Sequence, residues 1–127
     1  MKMVPEYTKN ELMNRYGEKL KRYVDFAMES VFHSKKQIKF EFFPSGIYKI
    51  SKVTSYLPIN DNEKAYATKD KIHISDWAME QDKDALMHIV IHEICHVLHP
   101  EYSEDEVIIE TDRRFNKLSN SMHWKIF

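Results

Sequence analysis

At 127 residues with a formal net charge of -1, the chain is sized for one domain and carries no overall field drawing it to nucleic acid or anionic lipid. Hydrophobic residues make up 43% and charged residues 31%, which excludes an intrinsically disordered chain. The single cysteine, Cys95, excludes an internal disulfide and fits a reducing compartment, and glycine at only Gly17 and Gly46 excludes a glycine-rich phosphate loop.

Met1-Lys2-Met3-Val4-Pro5-Glu6 is not followed by the apolar stretch of a secretory signal, and no apolar run is long enough to cross a bilayer. The expectation is a soluble, cytoplasmic chain, or one in the host cytoplasm if virus-encoded. Thr8-Lys9-Asn10-Glu11 matches a capping box. Leu12, Tyr16, Leu20, Tyr23, Val24, Ala27 and Val31 follow at helical spacing, which predicts a long amphipathic helix ending near His33. Ile38, Phe40 and Phe42 alternate with Lys39 and Glu41, the pattern of a strand with one buried face. Pro44-Ser45-Gly46 reads as a turn, Ile47 to Leu57 as a second strand, and Asn60-Asp61-Asn62 as a polar loop. Ala65 to Thr68 and Ile72 to Ser75 are two short strand candidates that form a hairpin around Lys69-Asp70-Lys71.

From Asp82 to His99 the period is helical again, and Pro100 closes the helix. A second capping box, Ser103-Glu104-Asp105-Glu106, opens a last helix with Val107, Ile108, Thr111, Phe115 and Leu118 inward. The expected fold is a single α+β domain over 1–127, with helices on one face of a three- to four-stranded, mostly antiparallel sheet.

The helix from Asp82 carries His92-Glu93-Ile94-Cys95-His96. Residues four apart share one helical face, so both imidazoles can reach one ion. Glu93 lies about 100° round the helix from His92, within reach of a water held at that ion. Zinc acidifies such a water, and the carboxylate takes its proton. Leu86, Met87, Val90, Ile91, Ile94, Val97 and Leu98 fill one arc of this helix, and His88, His92, His96 and His99 fall on the opposite arc. The competing reading is a solvated polar face without a metal.

Two imidazoles leave a catalytic zinc site one protein ligand short. A metzincin continuation fails, because Val97-Leu98-His99-Pro100 has no glycine or suitably spaced third histidine. A glutamate from the next helix would complete a His₂Glu set, with Glu104, Glu106 and Glu110 as candidates. If Pro100 to Ser103 is the turn of an αα-hairpin, the level midway between His92 and His96 lies opposite residue 109. That ranks Glu110 first and Glu104, which points inward near the turn, second. Glu106 lies on the far side from the apolar face. The bland role for Glu110 is an i,i+4 partner for Arg114. His88 reads as a rim residue, His99 as a charge near a helix C-terminus, Cys95 as a half-buried structural thiol, and Trp77 as core or rim. Tyr102 and His123 are candidate oxyanion donors with nothing in the sequence to place them.

His92 to His96, preceded by the strand Lys71-Ile72-His73-Ile74-Ser75, resembles the zincin metallopeptidases. A glutamate on the following helix makes the gluzincin branch the closer likeness. The run from His92 through Leu118 is similar to compact metallopeptidase-like proteins of phages and mobile elements, and to SprT-like and ImmA/IrrE-like domains. The resemblance implies a twisted sheet whose edge strand binds extended peptide above zinc. It also implies His92 and His96 as ligands, Glu93 as general base, and Glu110 as third ligand.

The function expected is zinc-dependent hydrolysis of peptide bonds, with a peptide or protein substrate and no membrane partner. The alternative is a non-catalytic zinc-binding module that recruits a protein, recognisable by four protein ligands. A nucleic-acid partner is not indicated: Lys19, Lys21, Arg22, Lys35 and Lys36 read as solvated faces.

Overall fold

The computed structural model describes residues 9–44 and 65–120. Thr8 of the first capping box, the predicted strand Ile47 to Leu57 with the Ser45-Gly46 turn and the Asn60 loop, and His123 lie outside the described residues.

Helix α1 (Lys9–Ser30) buries Leu12, Tyr16, Leu20, Tyr23, Val24 and Ala27, the stripe that helical spacing predicts. The helix closes with His33 in the left-handed region at φ 50, while the Ser34 amide donates to the Met28 carbonyl at 2.9 Å. The Tyr16 hydroxyl donates to a Glu80 carboxylate oxygen at 2.7 Å. Burial, reinforced by that carboxylate, pushes the Tyr16 pKa up to about 12. Gly17 sits mid-helix, and a methyl added there would meet the Met13 sulfur at 2.9 Å. Met13 is exposed and its thioether end is flexible, so it can turn aside. Gly17→Ala is therefore expected to stabilise the fold by about 0.5–1 kcal/mol. A urea midpoint that falls instead would show that Met13 cannot give way.

Strands β1 (Lys39–Phe43), β2 (Ala65–Ala67) and β3 (Lys71–Ser75) form one sheet in the order β1-β3-β2. β2 and β3 are the expected hairpin, paired antiparallel with Ala65 opposite Ile74. β1 instead runs parallel to β3, with Phe40 opposite Ile72 and Phe42 opposite Ile74. The described sheet is thus mixed rather than mostly antiparallel. Its core face presents Phe42, Ile72, Ile74 and Ala65, all buried.

Helix α2 (Asp76–Met79) follows β3 directly and has no counterpart in the sequence reading. The Ser75 hydroxyl caps it by accepting from the Ala78 amide at 3.1 Å, and Ala78 and Met79 are buried. Helix α3 (Lys83–Leu98) is capped by Asp82, which accepts from the Ala85 amide at 2.8 Å. Its predicted apolar arc packs as expected: Leu86, Met87, Val90, Ile91, Ile94 and Val97 join one core with α1 and the sheet. Helix α4 (Glu104–Asn120) opens on the predicted capping box, with Ser103 Oγ accepting from the Glu106 amide at 3.2 Å. The Ser103 amide returns a bond to Glu106 Oε1 at 3.0 Å.

α4 folds back on α3 and buries Val107 and Thr111. The Thr111 hydroxyl is enclosed without a hydrogen bond among the described residues. Thr111→Val keeps the shape and removes that desolvated group, so it is expected to raise stability by about 1 kcal/mol. A lower melting temperature would count against this. The described residues make an α+β fold of four helices and a small mixed sheet. None of these helices is long and apolar enough to cross a membrane.

Candidate metal centre

The burial of one arc of α3 decides where its histidines go. With Val90, Ile91, Ile94 and Val97 turned into the core, His88, His92 and His96 are left on the seam between α3 and α4. The His92 and His96 rings meet edge to face, with centroids 4.9 Å apart. Both face the same carboxylate. His92 Nε2 lies 3.1 Å from Glu104 Oε1, and His96 Nε2 lies 2.9 Å from Glu104 Oε2. Ligand atoms of these three residues all fall within 4.8 Å of one another, the one such group of His, Cys, Asp and Glu among the described residues. The side chains of His92 and His96 are 19% and 27% exposed and that of Glu104 is 57% exposed, so the group sits at the mouth of the seam.

This donor set fits zinc. Two imidazole nitrogens and one carboxylate are the catalytic His₂Glu combination. Tetrahedral bonds of about 2.0–2.1 Å hold ligand atoms about 3.3 Å apart, a few tenths beyond the present contacts. Burial, with a further contribution from the neighbouring His96, holds the His92 imidazole below its ordinary pKa, while Glu104 opposes that shift. The neutral ring favoured in this way is the ligating form.

Glu110, ranked first from sequence, does not come to the imidazoles. Arg113 takes its carboxylate through Nε at 2.8 Å and Nη2 at 2.6 Å, and Arg114 Nε stands 3.7 Å away. Those guanidinium bonds, led by Arg113, hold the Glu110 pKa down. The physical reason lies in the hairpin register. His88 Nε2 and Asp112 Oδ1 meet at 3.0 Å across the seam, and that pair is symmetric about residue 100. A turn spanning Pro100 to Ser103 would put the centre near 101.5 instead. Moving it to residue 100 sets Glu104 level with His96. Glu110, six residues on, is rotated by about 120° from Glu104 and reaches the seam's flank.

Glu106 is spent on the cap of α4, which removes it as a ligand. Glu93 is 7% exposed and is the only buried acidic side chain among the described residues. Cys95 is fully enclosed rather than half-buried, and burial pushes its thiol up to about 11, which makes it an inert packing group. His99 lies outside the His92, His96 and Glu104 group. Its Nδ1 is 3.3 Å from Glu101, and its ring stacks on Tyr102 with centroids 4.4 Å apart. Asp112 was not singled out from the sequence. The signal for it was its position opposite His88 once the hairpin centre is known.

No family model, curated protein or solved structure matches the chain.

Proposed function

We propose that the chain is a zinc metallopeptidase whose metal is held by His92, His96 and Glu104. The observation that carries this reading is the convergence of two imidazoles, one helical turn apart, on the two oxygens of a single carboxylate from the next helix. Bound zinc would supply a Lewis acid that polarises a substrate carbonyl and lowers the pKa of a water. The buried Glu93 on the same helix is the residue to take that water's proton and pass it to the departing amine. Glu93 follows His92 directly and precedes His96 by three residues, so the same turns of helix carry the carboxylate and both imidazoles. An extended peptide would approach along β2, an outer strand of the described sheet, by strand addition.

The competing reading is a zinc-stapled binding module, which needs four protein ligands. The group among the described residues holds three, and neither Cys95 nor His99 belongs to it. That favours a site with an open position. The test is cleavage of an unfolded protein by zinc-loaded chain. Hydrolysis is expected to stop on chelation and return with zinc. A zinc-loaded chain that cleaves no peptide bond across a diverse peptide library would leave the module as the better account.

A further inference from the structure

A second place on the molecule has the chemistry of a ligand site, and it lies outside the histidine seam. A cavity of about 400 Å³ opens between the end of α1 and the second half of α4. His33, Arg113, Arg114 and Lys117 line it, with Val31 and Leu118 as its apolar wall and no acidic residue among the described residues. The geometry points to a binding site for a phosphate group, either free or as a monoester of a small molecule.

Three observations carry this. First, the two guanidinium groups are oriented before any ligand arrives. Arg114 donates through Nη1 to the Val31 carbonyl at 2.9 Å and lies over the Phe32 ring at 4.6 Å. Its Nε is buried and makes no hydrogen bond among the described residues, with Glu110 Oε1 standing 3.7 Å off. Arg113 is gripped by Glu110 through Nε and Nη2, which leaves Nη1 uncommitted among the described residues. A planar fork fixed in this way matches phosphate oxygens at little further ordering cost.

Second, the charges do not cancel. Arg113, Arg114 and Lys117 face the cavity, and Glu110 is the one carboxylate among the described residues that compensates them. Lys117 has no ion pair among the described residues. Two positive charges are left over, the complement of a phosphate dianion. The cavity volume is at the small end of ligand pockets, which suits a phosphate or small monoester rather than a polymer.

Third, His33 lines the cavity from a left-handed backbone position, φ 50, where glycine is the unstrained choice. Strain of this kind is retained where a side chain does something that glycine cannot. Substitution there separates stability from binding.

The experiment is calorimetric titration of the full chain with inorganic phosphate, and then with adenosine monophosphate, at fixed ionic strength. Saturable one-to-one binding is expected. Arg113→Ala and Lys117→Ala are each expected to weaken it by roughly tenfold or more. His33→Gly should raise the melting temperature while weakening phosphate binding. Lys21→Ala, on the exposed Lys21–Asp25 pair of α1, should leave affinity unchanged. So should His92→Ala, which removes the metal group as the alternative location. Tighter binding of the monophosphate would identify an organic phosphate as the ligand, and equal binding would identify phosphate itself. Failure of both probes to saturate, equal affinity in the arginine and lysine variants, or loss of binding in His92→Ala would overturn the assignment.

Discussion

Glu93→Gln is expected to lower peptide hydrolysis by about 10²–10⁴-fold while the chain keeps its zinc. The amide has nearly the shape of the carboxylate but cannot accept a proton at neutral pH. Glu93 is outside the group formed by His92, His96 and Glu104, so the substitution takes no ligand away. At 7% exposure the side chain is enclosed, and the near-isosteric amide fills the same space, so the variant is expected to keep the fold. Activity lost while the fold and the zinc are kept is the pattern of a residue retained for chemistry. The measurements are turnover of a fluorogenic peptide, zinc content by elemental analysis, and a thermal melt on the same preparation. Full-rate cleavage by Glu93→Gln would place the base elsewhere. Loss of zinc from the variant would make Glu93 a support of the site rather than its proton acceptor.

The helices were legible in the sequence because their signals are local. The stripe from Leu12 to Ala27, the Ser103–Glu106 box and the apolar arc of α3 each lie within a few turns of one helix, and all appear in the fold. Strand faces were legible for the same reason, since Phe42, Ile72 and Ile74 alternate as a half-buried strand requires. Strand neighbours were not. Periodicity assigns a face but no partner, and the parallel pairing of β1 with β3 joins residues about thirty apart in the chain. Helix α2 escaped because four residues are too few to establish a period, although Ser75 followed by Asp76 is a recognisable start. In the candidate metal group, His92 and His96 needed only the geometry of one helix. The proposed third ligand needed the register between two helices, and a shift of about one and a half residues in the hairpin centre changes which glutamate meets them.

That shift makes the ligand set itself the sharpest test. His92→Ala, His96→Ala and Glu104→Ala are each expected to weaken zinc binding by at least about a hundredfold, the upper end of what even second-shell losses cost metal sites. Glu110→Ala should stay within a few-fold of wild type. Its carboxylate is held by Arg113 and Arg114, and moving it to zinc would break two charge-assisted bonds at 2.6 and 2.8 Å. Competition against a chelating dye gives the affinities. Zinc should also raise the melting temperature of wild type and Glu110→Ala, because an ion that binds only the folded chain stabilises it by mass action. The same addition should not move the three ligand variants at zinc concentrations below their weakened dissociation constants. The opposite ranking, zinc lost in Glu110→Ala and retained in Glu104→Ala, would mean that α4 lies against α3 in another register when the metal is bound. Glu104 would then be a surface carboxylate that caps two histidines only in the ion's absence. The His88–Asp112 pair, at 3.0 Å, argues against that, because it fixes the hairpin independently of the metal ligands and sets Glu104 at the level of His96.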